Sequence, residues 1–299
     1  MGNTSLNTAK SNKNDEFYTM LKDIEKEMSN YTESFKDKSI YLNCDNPRKS
    51  NFWKYFYDNF DDLGLKSLTT TYYDENKKPI KTEYEGTKVK KTTMRGDGDF
   101  RSDECIDILK ESDIVITNPP FSLFRDFVSL MEEYNKNFLI IGNMNAITYK
   151  EIYPLIKEDK IWLGYNNGSM SFYIPDDEEY KKSSSYYVNE EGRECRKFGN
   201  IYWFTNLDTD KRHKNIELTK KYKGNEHLYP KYDNYNAIEV SRVKDIPSDY
   251  RGAMGVPITF LNKYNPEQFE IIKFRTGNDN KDLKINKKRP YFRILIRRI

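Results

Sequence analysis

Apolar residues at Phe17, Met20, Leu21, Ile24 and Met28 recur every three or four positions, so a helix covering one face of a core is predicted within residues 1–35. From Ser39 the period changes. Ser39-Ile-Tyr-Leu-Asn-Cys44 is a short apolar run bounded by the turn-forming Asp45-Asn-Pro-Arg-Lys-Ser50, and Phe52, Trp53, Tyr55, Phe56 and Phe60 then follow in a helical stretch. Residues 65–73 read as a Thr-rich second strand ending at Asp74, and residues 80–94 as an inserted hairpin around Glu85-Gly86. A short helix at 103–111, a buried-type strand at 113–117, a helix at 123–134 and an apolar strand at 137–142 continue the alternation. Further strands are predicted at 161–165, 170–174 and 199–206, then at 256–261, 269–274 and 291–298 beyond a polar, loop-rich stretch. Alternating strands and helices predict an α/β domain with a mostly parallel sheet over residues 36–207, preceded by the helical segment 1–35 and followed by a smaller region, 208–299. There is no internal repeat and no low-complexity linker.

Composition narrows the class. A chain of 299 residues with 36% hydrophobic and 15% aromatic residues can bury a core and is not disordered, and no run of about 18 apolar residues exists to span a bilayer. The N-terminus lacks the apolar stretch of a secretory signal, so the expected location is the cytoplasm. Three separated cysteines (Cys44, Cys105, Cys195) and two histidines (His213, His227) argue against a disulfide framework or a zinc site; no metal is expected. The net charge of +3 hides an asymmetry: residues 200–299 hold 21 basic and 12 acidic residues, a net of +9, which leaves −6 for residues 1–199. Such a basic third suits a polyanion partner, and equally a solvated lysine-rich surface.

The sharpest local signal is Asn118-Pro-Pro-Phe121. Two prolines offer no amide hydrogen to a sheet, so the tetrapeptide must lie just past the carboxyl end of its strand, where open α/β sheets bind ligands. The Pro119-Pro120 pair restricts the backbone and so holds an Asn amide, a proline carbonyl and a Phe ring around one point at low entropic cost. That set suits a flat base bearing an amino group: the Asn118 oxygen and the Pro119 carbonyl accept both amine hydrogens while Phe121 stacks on the base. The alternative is a proline-rich strand exit with a core phenylalanine.

With this tetrapeptide and the segments 43–56, Gly98-Asp-Phe-Arg-Ser102, 113–125, Ile140-Ile-Gly-Asn-Met-Asn-Ala146, Ile161-Trp-Leu-Gly164 and Gly255-Val-Pro-Ile-Thr-Phe260, nearly the whole chain resembles the EcoRI-type adenine-specific DNA methyltransferases. The resemblance implies a Rossmann-like fold that uses S-adenosylmethionine, yielding S-adenosylhomocysteine, and a C-terminal region that recognises DNA. It implies that the loop after the first strand wraps the methionine part of the cofactor. Here the usual glycine-rich loop is replaced by Asp45-x-Pro47-x-x-Ser50, whose three named residues are the expected contacts. It further implies that Asp74 holds the ribose hydroxyls, that Asp99 and Phe100 meet the adenine ring, and that Asn118 stands at cofactor and target base alike. By residue type alone Asp45 is also an ordinary helix cap, Asp74 a loop residue and Asp99 a turn acid.

The implied reaction is methyl transfer to N6 of an adenine flipped out of double-stranded DNA, in a restriction–modification or phage system, with a cognate endonuclease as an indirect partner and no membrane association. Methylation of RNA or of a protein glutamine, and DNA binding without efficient catalysis, are the competing readings.

Overall fold

The computed structural model describes residues 18–74, 77–174, 183–275, 283–290 and 292–299, and the chain divides into two compact units. Unit 1 comprises the described residues within Met1–Ala146 and Leu163–Leu207; unit 2 comprises Ile147–Trp162 and those within Asp208–Ile299. Phe17, the polar N-terminal run, Glu75, Asn76, Lys281, Asp282 and Tyr291 lie outside the described residues.

Unit 1 opens with β1 (Tyr18–Thr19), α1 (Leu21–Met28) and α2 (Thr32–Phe35), then β2 (Ser39–Leu42), α3 (Asn51–Asp58) and β3 (Ser67–Thr70). The hairpin β4 (Ile80–Tyr84) and β5 (Val89–Thr93) follows, then α4 (Asp103–Glu111), β6 (Ile114–Thr117), α5 (Phe124–Glu133) and β7 (Asn137–Asn143). Helix α6 (Tyr153–Lys157) belongs to unit 2, and β8 (Trp162–Leu163) leads back to β9 (Gly168–Tyr173), β10 (Tyr186–Val188) and β11 (Glu194–Thr205).

The sheet order is β1-β9-β11-β7-β6-β2-β3-β4-β5. Only its four central strands, β7, β6, β2 and β3, run parallel; every other pairing along that path is antiparallel. The expected mostly parallel sheet is therefore corrected to a mixed one. The reason lies in the connections, because parallel neighbours need a crossover of a dozen residues or more, usually helical. Helices α3, α4 and α5 supply such crossovers, whereas β4 and β5 are joined by a tight turn and no helix occurs among the described residues from Leu163 to Thr205.

Helix formation follows the apolar spacing. In α3 the Ser50 hydroxyl caps the first turn by accepting from the amides of Phe52 (3.1 Å) and Trp53 (3.2 Å), and Phe52, Trp53, Tyr55 and Phe56 are buried. Ile24, Met28, Phe35, Phe52 and Phe56 pack with Ile40, Leu42, Leu68, Ile116, Ile141 and Trp203 in one core. Burying each such side chain fully contributes about 1.5–3 kcal/mol. On α5, Phe124, Phe127, Val128 and Met131 form the buried stripe, and Phe124 packs on Phe204 of β11 with ring centroids 5.0 Å apart. Gly142 of β7 makes that seat, since a Cβ there would overlap the Phe124 ring.

Unit 2 carries a second sheet, in the order β12 (Lys231–Tyr232), β13 (Tyr235–Glu239), β14 (Met254–Pro257), β16 (Arg293–Arg298) and β15 (Phe269–Arg275). The strand predicted at 256–261 ends at Pro257, and Ile258–Lys263 is a 3-10 helix. Helix α6 meets β15, with the rings of Tyr153 and Phe274 5.1 Å apart. Inside unit 2 the buried Glu239 carboxylate takes Arg293 Nε (2.9 and 3.0 Å), Arg293 Nη2 (2.6 Å) and the Tyr232 hydroxyl.

Candidate active site

From β2 the chain steps to β3 on one side and returns, by way of the hairpin and α4, to β6 on the other. The carboxyl ends of β2 and β6 thus flank a topological switch point, where open sheets leave a crevice. Asn43, Cys44 and Asp45 follow β2 there, and Asn118-Pro-Pro-Phe121 follows β6.

Asp45, 7% exposed, ties the two ends together. Its Oδ1 accepts from the Ser50 hydroxyl and its Oδ2 from the hydroxyl of Thr117, the last residue of β6, each at 2.6 Å. The Asp45 amide donates to the Thr71 carbonyl at 3.0 Å, and the Thr70 hydroxyl donates to the Asp45 carbonyl. The loop after β2 is thereby fixed to α3, to the end of β3 and to the residue that precedes Asn118. Hydrogen bonds to a charged acceptor contribute about 1.5–3 kcal/mol each, and Ser50 and Thr117 each donate one to this carboxylate.

Pro47 lies between Asn46 and Arg48 in the wall of a cleft of about 200 Å³ beside α3. Asn118 is half-buried and Pro119 is buried. Pro120 caps a single 3-10 turn, Phe121–Leu123, and its carbonyl accepts from the Leu123 amide at 2.9 Å. Phe121 is half-buried, packed in part against the core.

The second group sits past the end of β3. The Asp74 amide donates to the Asp97 carbonyl at 3.0 Å, so the 97–99 loop lies against the 72–74 segment. Gly98, with φ of +78°, permits this approach: a Cβ would overlap the Tyr72 carbonyl. Asp74 Oδ1 accepts from the Lys77 amide at 3.1 Å. Asp99 binds Arg101 through its Nε (2.9 Å), Nη2 (2.7 Å) and amide (2.9 Å), and this pairing holds the Asp99 carboxyl below the usual carboxylate range. The Phe100 ring is 4% exposed and packs on Phe127 at 5.1 Å. Hydrogen bonds therefore link Asp45, Ser50 and Thr117 beside Asn118, and separately join Asp74 to the Asp99–Phe100 loop. The Thr71 carbonyl, on the segment leading to Asp74, holds the Asp45 amide.

Asn43 is a candidate that its sequence context did not single out. It is 1% exposed, and neither its Oδ1 nor its Nδ2 has a hydrogen-bond partner among the described residues. Burying an amide in that state costs about 1–3 kcal/mol. An apolar strand that ends on an Asn two residues before the anchoring Asp is the only trace of it in the sequence. No group of three or more His, Cys, Asp or Glu side chains suited to a metal occurs among the described residues.

Comparison with known proteins decides the family. The model of the adenine-specific methyltransferase EcoRI family matches residues 5–299. The chain belongs to the EcoRI family of adenine-specific methyltransferases. As such it is an adenine-specific DNA methyltransferase. It is 53% identical to the Type II methyltransferase M.EcoRI of Escherichia coli, over 99% of this chain and 96% of that protein. It is 40% identical to the Type II methyltransferase M.MgeORF184P of Mycoplasma genitalium over 98% of each chain. To M.MpnI of Mycoplasma pneumoniae the identity is 44%, over 89% of this chain and 84% of that one. No solved structure is significantly similar to it. Among the described residues no helix is long and apolar enough to cross a membrane.

Proposed function

We propose that this methyltransferase acts on N6 of an adenine extruded from double-stranded DNA, with S-adenosylmethionine as the donor, as the modification arm of a restriction–modification or phage system. The observation that carries the reading is the Asn-Pro-Pro-Phe turn at the switch point, braced by the Thr117–Asp45 hydrogen bond. The central strands, crossing over at β2 and β6, are the part of the sheet on which we base a Rossmann-like assignment for residues 36–207.

The adenine amine is conjugated into its ring and is a poor nucleophile. Hydrogen bonds from its two protons to Asn118 Oδ1 and the Pro119 carbonyl favour a more tetrahedral nitrogen and stabilise the positive charge that develops on it. Pro119 and Pro120 keep those acceptors in place without reorganisation, and Phe121 offers a ring face to replace part of the stacking lost on extrusion.

When bound, S-adenosylmethionine supplies an electrophilic methyl group on a sulfonium. The residues present fit such a molecule. Asn43 presents a buried amide whose donor and acceptor suit a polar ligand, and Asp74 and Asp99 are acceptors for ribose hydroxyls and an exocyclic amine. Asp45, Pro47 and Ser50 shape the loop nearest the donor, while Phe100 walls the adenine side. Residues 208–299, with net charge +9 over 200–299, are assigned to target recognition. The enzyme is expected in the cytoplasm, sharing its site on DNA with a cognate endonuclease.

Labelled methyl groups offered to DNA, RNA and protein test the substrate: label in duplex DNA is expected, and label in RNA or protein alone would overturn it. Asn118→Ala tests the site. Under single-turnover conditions the rate should fall about 100-fold to 1,000-fold while DNA and donor affinities shift by roughly tenfold at most. A wild-type rate would refute the assignment.

A further inference from the structure

The β4–β5 hairpin is an insertion between β3 and α4 that none of the roles above uses. All five residues of β5 are exposed, and the segment 77–95 carries Lys77, Lys78, Lys81, Lys88, Lys90, Lys91 and Arg95 against Glu83 and Glu85. Glu83 pairs with Lys81 (2.8 Å) and, at 3.8 Å, with Lys90. Lysines on an edge strand keep sheets from pairing edge to edge, which accounts for charge but not for what lies beside it.

Beside it is the cleft of about 200 Å³, bounded by the 46–48 loop, α3, Tyr72 and the hairpin. Its lining includes the basic side chains Arg48 and Lys91, the rings of Trp53, Tyr57 and Tyr72, and no acidic residue. Trp53 and Tyr57 stack on each other at 5.8 Å and 19°, and Tyr57 is 39% exposed, so the wall of the cleft carries one exposed ring backed by a buried one. Thr82 also lines the cleft. It is 1% exposed, and its hydroxyl has no hydrogen-bond partner among the described residues. Basic rim, aromatic wall and an unsatisfied buried hydroxyl together describe a receptor for a phosphodiester with its adjoining sugar or base.

We propose that this cleft and the hairpin edge form a DNA-strand contact surface on unit 1, in addition to the basic residues of 208–299. Arg48 and Lys91 take a backbone phosphate, Thr82 supplies a hydrogen bond, and Lys88 and Lys90 extend the positive track along β5. The inference rests on the reading of DNA as the substrate.

The test uses the full chain with Lys88, Lys90 and Lys91 all changed to Gln, and separately Thr82→Val. Binding to a double-stranded oligonucleotide is followed by fluorescence anisotropy across a salt series, with donor affinity measured by calorimetry. For the triple variant, the log–log salt slope should become shallower by about 0.9 for each phosphate that the lysines no longer neutralise, with donor affinity unchanged. Thr82→Val should melt no lower than wild type, because its hydroxyl has no hydrogen bond to lose among the described residues, yet bind DNA several-fold more weakly. A wild-type slope in the triple variant overturns the proposal, and so does wild-type DNA affinity in Thr82→Val. If the unmodified chain neither binds DNA nor labels it, the substrate reading itself fails. Labelling of DNA by a chain whose slope ignores these lysines sinks this inference alone.

Discussion

Removing the Asp45 carboxylate should cost more stability than most single substitutions, and the structure says where the energy goes. Asp45→Ala deletes two 2.6 Å hydrogen bonds to a charged acceptor, from Ser50 and Thr117. At about 1.5–3 kcal/mol each, the loss is roughly 3–6 kcal/mol. Thr117→Val keeps the side-chain shape, removes one of the two bonds and leaves Asp45 Oδ2 without that donor in a buried site, at about 1.5–3 kcal/mol. The two groups share one interaction, so the double variant should be less destabilised than the sum of the singles by about 1.5–3 kcal/mol. Urea titrations of all four proteins measure this, read by tryptophan fluorescence. Two of the three tryptophans, Trp53 and Trp203, lie in unit 1, and Trp162 is in unit 2. Equal m-values across the set are required for the comparison. Because Asn118 follows Thr117 directly, both singles should also slow methyl transfer. Additivity within about 0.5 kcal/mol would mean that the Thr117–Asp45 bond does not brace the turn, and a preorganised Asn118 would lose its support.

Asp99→Ala should weaken donor binding several-fold by calorimetry while leaving a near-native melt, since its ion pair with Arg101 is partly exposed; unchanged affinity would return Asp99 to the role of a turn acid. Glu27 of α1 is fully buried and accepts from the Tyr31 hydroxyl, the amides of Tyr165 and Asn166, and Asn166 Nδ2. Burial raises its carboxyl above the ordinary value of 4.5 in spite of those donors, so the folded state binds the proton more tightly than the unfolded chain. Its contribution to stability therefore falls as pH rises from about 4.5 through the folded value, and Glu27→Gln, which cannot ionise, should lose that dependence. Parallel urea-midpoint profiles for the two proteins across that window would contradict this. Neutralising Lys284, Lys287, Lys288 and Arg289 of unit 2 should lessen the salt slope of DNA binding by about 0.9 for each phosphate left without its cation, and a wild-type slope would make them a solvated surface.

The chain order of β2, α3, β3, the β4–β5 hairpin, α4, β6, α5 and β7 was legible because each is set by local period and punctuation. Prolines at 119 and 120 stop β6, Ser50 caps α3, and Glu85-Gly86 turns the hairpin. The Asn-Pro-Pro-Phe turn was legible for the same reason, since backbone chemistry alone forbids it a place within the sheet. Strand direction was not legible. Whether β9 and β11 run with or against β7 depends on connections longer than any local window, and the described residues of those connections hold no crossover helix between β9 and β11. Nor does any local pattern group residues 147–162 with the C-terminal sheet, which depends on residues distant in sequence. Asp45 shows the division most clearly: sequence could offer it as a cap or a ligand residue, but its bond to Thr117, 72 residues on, exists only after β2 and β6 lie side by side. Asn43 and Thr82 likewise became candidates for ligand contact only through burial, because a polar side chain's lack of partners is decided by everything the tertiary fold packs around it.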